Sequence, residues 1–214
     1  MINDSFKHKG LRKVLVEELA KKGITDTNVL EAIGQVPRHI FLDSSLDNIA
    51  YQDKALPIGC NQTISQPYTV AFQTQLLELS PRDKVLEIGT GSAYQTSILC
   101  EMQARVFSIE RHKPLYIRAK SVLSLMKYSA KCFFGDGYKG LPNYAPFDKI
   151  IITCGAKEIP NALLTQLKIG GYLVVPIGES IQTMHRIKKV SDTEFLTEKY
   201  GSFKFVPMLE DRES

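Results

Sequence analysis

VLEIGTGSAYQ, residues 85–95, is the stretch whose reading decides the fold. An apolar run stops on Gly89, Thr90 and Gly91 and passes directly into helix-forming sequence. A strand that ends on glycines and feeds a helix is the opening unit of an open α/β sheet, in which ligands bind beyond the carboxyl ends of the strands. Glycine there lets the backbone approach a ligand and take angles closed to other residues. A dinucleotide loop, G-x-G-x-x-G, would place a third glycine where Tyr94 stands, and a bulky first-turn side chain disfavours a pyrophosphate at the helix N-terminus. S-adenosylmethionine has no pyrophosphate and presents an ammonium-bearing amino acid end, which suits the acidic Glu87 two residues before Gly89.

Downstream, ARVFSIE ends in Glu110, nineteen residues past Gly91, the position from which a carboxylate reaches both hydroxyls of an adenosine ribose. CFFGDG then ends in Asp136 and Gly137, placed to flank an adenine. Taken singly, each carboxylate reads as a surface or capping group; at successive strand ends they agree on a nucleoside. FDKIIIT and YLVVPIG bring the short apolar strands to five, separated by helical stretches at about residues 69–79, from residue 94, in PLYIRAKSVLSLM and in PNALLTQLK. Such alternation demands parallel strands with right-handed crossovers and helices on both faces. The expected fold class is therefore α/β, a doubly wound, mostly parallel, Rossmann-like sheet. The tail changes character: MHRIKKV and EFLTEKYGSFKFVP alternate as antiparallel edge strands do.

Upstream, GLRKVLVEELAKKG places Leu11, Val14, Leu15 and Leu19 on one helical stripe, and TNVLEAIGQV follows the capping-type Asp26 and Thr27. Residues 48–68 are punctuated by Pro and Gly and fit neither helix nor long strand, which reads as an ordered loop. The expected organisation is one domain over 1–214: N-terminal helices and loop in 1–68, a cofactor-binding core in 69–180, edge strands in 181–214. The apolar runs are strand-length, far below the roughly 20 residues of a membrane helix, and the opening segment lacks the unbroken apolar stretch of a secretory signal; a cytoplasmic protein with no membrane contact is expected. Cys60, Cys100, Cys132 and Cys154 form no CxxC pair and read as reduced thiols, three of them buried. The 27 basic residues are interspersed with 23 acidic ones, so the net charge of +4 does not point to a nucleic-acid partner. His8, His39, His112 and His185 are scattered, with no metal-ligand spacing, and no metal is expected.

These residues, with VPRHIF (36–41), YQDKALPIG (51–59), QTISQPY (62–68), SIER (108–111), GDGYKGLP (135–142), APFDKIIIT (145–153), IPNALLTQLKIGGYLVVPIG (159–178) and FKFVP (203–207), resemble the protein-L-isoaspartate (D-aspartate) O-methyltransferases along nearly the whole chain. QTISQPY is the specific string, because the glycine strand is shared by many methyltransferases. The resemblance implies S-adenosylmethionine as methyl donor and the free carboxylate of L-isoaspartyl residues in damaged proteins and peptides as acceptor, with D-aspartyl residues left open as a second acceptor, in a protein expected to be monomeric. It implies Ser65 as the active-site serine, Thr63 and Ile64 beside it on the cofactor and substrate walls, and Glu110 with Arg111 on the ribose side. Asp136 and Gly137 fall on the adenine side, and Val206 with Pro207 form the edge along which the substrate backbone lies. The chain departs from the family pattern at Cys60 and Asn61, where a more glycine-like pair is expected, at Ala93, which replaces a usual glycine, and in the tail MLEDRES.

Methyl transfer from a sulfonium is an in-line displacement, so the enzyme's main task is alignment. The acceptor carboxylate, with an unperturbed pKa of about 4, is already ionised at neutral pH and needs no strong base. Ser65 is accordingly expected to orient the acceptor by hydrogen bonding. The methyl ester made carries a better leaving group than the carboxylate, so attack by the neighbouring backbone nitrogen on its carbonyl expels methanol and closes a succinimide that reopens partly to aspartate. A methyltransferase acting on RNA or a small molecule is opposed by QTISQPY and by the missing basic stripe; a non-catalytic binder, by Ser65 and the acidic set; a nicotinamide oxidoreductase, by Tyr94.

Overall fold

A computed structural model describes residues 4–213, so the outermost expected boundaries, at residues 1 and 214, lie outside the described residues. The first helix, α1 (Phe6–Lys21), starts on a reciprocal cap in which the Ser5 hydroxyl accepts the His8 N–H and the His8 ring accepts the Ser5 N–H. Leu15 and Leu19 are buried as their spacing predicts, but Val14 is 61% exposed. Arg12 takes an inward place instead, its guanidinium held by Asp4, the Tyr51 hydroxyl and the Gly34 carbonyl. Helix α2 (Thr27–Gln35) is capped by Asp26, whose carboxylate accepts the Asn28 and Val29 N–H groups.

Two 3-10 turns, Arg38–Phe41 and Ser44–Ile49, lead into the segment expected to be an irregular loop. It contains a hairpin instead: β1 (Leu56–Gly59) and β2 (Gln62–Ile64), antiparallel, turning through Cys60 and Asn61 at φ 51° and 53°. Strands of three and four residues are too short for their alternation to stand out in sequence. Helix α3 (Pro67–Leu76) begins before the expected residue 69, because Pro67 pre-sets the first turn, and it stops short of residue 79.

The regular part then runs β3 (Lys84–Ile88), α4 (Tyr94–Glu101), β4 (Arg105–Glu110), α5 (Lys113–Leu125), β5 (Lys131–Phe134), β6 (Phe147–Ile152), α6 (Asn161–Gln166), β7 (Leu167–Ile177), β8 (Gln182–Lys189) and β9 (Phe195–Phe203). The sheet order is β5-β4-β3-β6-β7-β8-β9. Its first five members are parallel, and β8 and β9 add antiparallel strands at the edge. Helix α6 is shorter than PNALLTQLK suggests, since β7 already begins at Leu167. Pairing with β6 is irregular near Gly171, where a Cβ would lie 2.5 Å from the Asp148 carbonyl oxygen.

Both faces of the central strands β3, β4 and β6 are buried, as a parallel sheet requires. In β3, Val85 packs with Leu99, Val106, Ile151 and Val174 on one face, while Leu86 and Ile88 pack with Phe107, Ile109, Ile150 and Leu173 on the other. Each such side chain contributes about 1.5–3 kcal/mol of burial. From β3 the chain goes to β4 and β5 on one side and returns to β6 on the other, so the topological switch point lies at the carboxyl end of β3.

Candidate active site

At that switch point Gly89 (φ 95°) and Gly91 (φ 52°) bracket Thr90. The turn is tied to β4 by Gly89 N–H and Thr90 N–H, both donating to the Ile109 carbonyl, and by a 2.5 Å bond between the Thr90 and Ser108 hydroxyls. It is tied to β6 by the Thr153 hydroxyl, which donates to the Gly89 carbonyl at 2.7 Å. A Cβ on Gly89 would meet that hydroxyl at 2.6 Å, so this position admits only glycine. Ala93, the residue before α4, also lies in the left-handed region, at φ 70°. It stands outside the helix, at a backbone angle that favours the glycine it replaces.

Glu110 closes β4 with its side chain 4% exposed. One oxygen accepts the Gly91 N–H at 2.7 Å and the other accepts the His112 N–H at 2.8 Å. Each oxygen keeps a lone pair for a further donor, and the carboxylate lines a cleft of about 790 Å³, counting its open mouth. Gly137 forms part of the wall. A Cβ there would lie 2.4 Å from the Ile88 side chain and 3.3 Å from that of Met208.

The opposite lip is built from the chain after β9. Gly155, beyond β6, donates its N–H to the Val206 carbonyl at 2.8 Å and accepts the Met208 N–H at 2.7 Å. Gln182, almost wholly buried, accepts the Phe205 N–H at 2.8 Å. Val206 and Pro207 are thereby fixed along the cleft. Thr63 and Ile64 enter it from β2, and Ser65 from the link between β2 and α3.

The cleft collects all the expected site residues except Glu87 and Asp136: Ser65, Thr63, Ile64, Gly89, Thr90, Gly91, Glu110, Arg111, Gly137, Val206 and Pro207 line it. Glu87 is fully buried beneath α4, where one oxygen accepts the Thr96 hydroxyl and the other has no hydrogen-bond partner. Burial, with Glu110 nearby, pushes its carboxyl up to about 7 against the opposing bond from Thr96. The Asp136 carboxylate accepts the Tyr138 N–H at 2.9 Å and caps a 3-10 turn, leaving Gly137 to face the cleft. The Arg111 guanidinium is turned to the tail, bonding the Glu210 and Asp211 carbonyls and the Glu213 carboxylate.

Sequence reasoning missed Tyr94, Gln95, His112, Thr153 and Cys154 as lining residues. For the last three a signal existed, since each falls within two residues of the end of β4 or β6 on the side of the switch point. Cys100, Cys132 and Cys154 are part-exposed, a correction to full burial, and burial pushes all three thiols up to about 12. Nor are the histidines all scattered. His8 and His39 stack at 3.8 Å, and with Asp4 they bring ligand-type atoms within 4.8 Å of one another. Rings stacked at 25° share no point within bonding reach of both nitrogens and in both planes, and Asp4 is held by Arg12. The group clasps α1 to the first 3-10 turn, with His8 Nε2 3.0 Å from Asp47.

A cleft of this kind suits a nucleoside. Glycines clear its floor, a braced carboxylate awaits two hydroxyls, and a serine with no hydrogen-bond partner among the described residues stands at the other wall. The family model described as "Protein-L-isoaspartate(D-aspartate) O-methyltransferase (PCMT)" matches residues 10–213. The protein-L-isoaspartate O-methyltransferase of Christiangramia forsetii is 56% identical over 212 residues, covering 99% of this chain and 100% of its own. That of Flavobacterium psychrophilum is 58% identical with the same coverage. Among solved structures, a protein-L-isoaspartate O-methyltransferase superposes with a TM-score of 0.85 at 29% identity, over 92% of this chain and 65% of that one, so this chain spans about two thirds of its length. The Plasmodium falciparum structure named for the same activity, in complex with S-adenosyl-L-homocysteine, gives 0.81 at 26% identity over 94% and 99% of the two chains.

Proposed function

The chain belongs to the protein-L-isoaspartate(D-aspartate) O-methyltransferase family, and from that premise we propose that the cleft between Glu110 and Ser65 holds donor and acceptor in line for methyl transfer. The protein is a methyltransferase that uses S-adenosylmethionine to esterify isoaspartyl residues in damaged proteins, the first step of their repair through a succinimide. The residues present fit that donor: positions 89 and 137 have no room for a side chain, and Glu110 is held with both oxygens still able to accept. When bound, S-adenosylmethionine supplies an electrophilic methyl group.

The chain's own residues supply placement. Glu110 receives the ribose hydroxyls, and Gly89, Thr90 and Gly91 let the backbone close on the donor. Gly137 leaves room for the adenine. Glu87, buried behind the turn, acts through the strand end and not by direct contact. Val206 and Pro207 carry the acceptor backbone, and Thr63 with Ile64 separate the two ligands. The Ser65 hydroxyl donates a hydrogen bond to one oxygen of the acceptor carboxylate, leaving the other aimed at the methyl. No group has to remove a proton, which matches a cleft where the Cys154 thiol is held neutral by burial.

The observation that carries this reading is that Ser65 and Glu110, from distant parts of the sequence, face one cleft. We further read the chain as one domain, acting as a monomer on proteins and not on nucleic acid. A cytoplasmic location is supported by four free cysteines; no described helix is long and apolar enough to cross a membrane. The test is transfer of labelled methyl groups to an isoaspartyl peptide and to its aspartyl twin. Label is expected on the first alone, and equal labelling of the two would overturn the reading.

A further inference from the structure

Asp53 lies between the second 3-10 turn and β1, with its side chain 4% exposed. One carboxylate oxygen accepts the Tyr68 N–H at 2.7 Å. The other accepts the Gln66 side-chain amide at 3.1 Å and the Lys22 ammonium at 2.7 Å. Burial opposes ionisation, but these donors outweigh it and hold the carboxyl below its ordinary range. Tyr68 N–H is among the first-turn donors that a helix leaves orphaned, and Gln66, at the N-cap of α3, makes no side-chain cap of its own. Asp53 therefore caps α3 from outside the helix and ties its start to Lys22 at the end of α1.

Gln66 is the residue after Ser65, and Tyr68 follows two positions later. Ser65 has no hydrogen-bond partner among the described residues, so its hydroxyl goes where its flanking backbone puts it. On one side that backbone is fixed by Ile64, 2% exposed in the core; on the other it is fixed by the Asp53 cap. We propose that Asp53 is a positioning residue for the methyl transfer, acting through Gln66 and Tyr68 to set the direction of the Ser65 hydroxyl in the cleft. This rests on the role given to Ser65 above.

The test is a double-mutant cycle of Asp53→Ala and Ser65→Ala, read as kcat and KM for an isoaspartyl peptide, with S-adenosylhomocysteine affinity measured alongside. Asp53→Ala is expected to lower kcat/KM by about tenfold or more, the scale of a small misplacement of a reacting group. S-adenosylhomocysteine affinity should stay within about twofold, since the bond between Glu110 and Gly91 involves no residue of α3. On the Ser65→Ala background the same substitution should cost almost nothing. An equal loss on both backgrounds, or a parallel loss of S-adenosylhomocysteine affinity, would make Asp53 a merely structural residue and overturn the proposal. If the alanine variant does not fold, Asp53→Asn, which keeps an acceptor for Tyr68 N–H, is run through the same cycle with the same two outcomes decisive. Wild-type turnover in the same assay separates the readings: no transfer at all would count against the Ser65 mechanism, whereas normal wild-type transfer matched by Asp53→Ala would count against Asp53 alone.

Discussion

Glu110 and Gly91 are joined across the mouth of the cleft, the carboxylate accepting the glycine N–H at 2.7 Å. The bond sets the glycine turn and the carboxylate against each other before any ligand arrives. Glu110→Ala removes the acceptor for the ribose hydroxyls and frees the turn at once. A lost charge-assisted hydrogen bond costs about 1.5–3 kcal/mol, so S-adenosylhomocysteine should bind roughly ten- to a hundredfold more weakly. Calorimetric titration is the check; affinity within a factor of two of the wild type would place the nucleoside elsewhere.

Ser65→Ala should behave differently. The hydroxyl bonds to nothing else described, so its loss leaves the fold and the nucleoside cradle intact. Turnover of an isoaspartyl peptide should fall by about one to two orders of magnitude, the range for losing one hydrogen bond that orients a reacting group. S-adenosylhomocysteine affinity and melting temperature should hold. Unchanged turnover would remove Ser65 from the mechanism.

Glu87 makes the protein's stability depend on pH. Its folded-state carboxyl is pushed up to about 7, by burial first, from an ordinary value of 4.5. Below the ordinary value it is protonated whether folded or not. As pH rises toward 7 the unfolded chain ionises first, so stability present in acid is lost, by roughly 3 kcal/mol at 1.36 kcal/mol per pH unit. Glu87→Gln cannot ionise and escapes that loss. Urea unfolding of both proteins at pH 5 and pH 8 should show the variant gaining on the wild type as pH rises, and a difference that stays constant would refute the assignment.

Gly155 and Gln182 set the peptide lip. A Cβ on Gly155 would lie 2.9 Å from the Gln182 side chain, which holds the Phe205 N–H and with it the line of Val206 and Pro207. Gly155→Ala should displace Gln182 and raise KM for the peptide by about tenfold, near 1.4 kcal/mol and within the usual cost of overpacking. S-adenosylhomocysteine affinity should change far less. A KM equal to wild type would show that the lip does not carry the acceptor.

The parallel sheet is legible in the sequence because β3, β4 and β6 are buried on both faces and read as short, mainly apolar runs. Glu110 is legible as the last residue of such a run. Glu87 reads equally well as a ligand, yet strand alternation puts it on the face of Val85, under α4; its parity carried that signal, and its acidity masked it. Asp136 shows the other limit, since a carboxylate before a glycine serves a cap or a ligand with the same letters. The clasp of His8 with His39 and the tie from Asp53 to α3 depend on contacts between segments remote in sequence, which no local pattern encodes.

The hairpin turn ahead of Ser65 combines what is legible and what is not. Cys60 and Asn61, at φ 51° and 53° between the paired Gly59 and Gln62, form the two-residue connection of a type I′ turn. Such a turn needs left-handed angles at both positions and favours Asn followed by Gly, whereas cysteine carries a Cβ penalty of about 1–2 kcal/mol there. Both side chains are outside the core, so nothing is lost by changing them. Cys60→Asn with Asn61→Gly should therefore raise stability by about 1 kcal/mol, after allowing for the greater freedom of glycine in the unfolded chain. Chemical denaturation measures the gain. Because β2 runs on into Thr63, Ile64 and Ser65, a register slip of the hairpin would show as lost turnover; stability raised with turnover retained is the expected result, and a fall in stability would mean that the native pair already satisfies the turn.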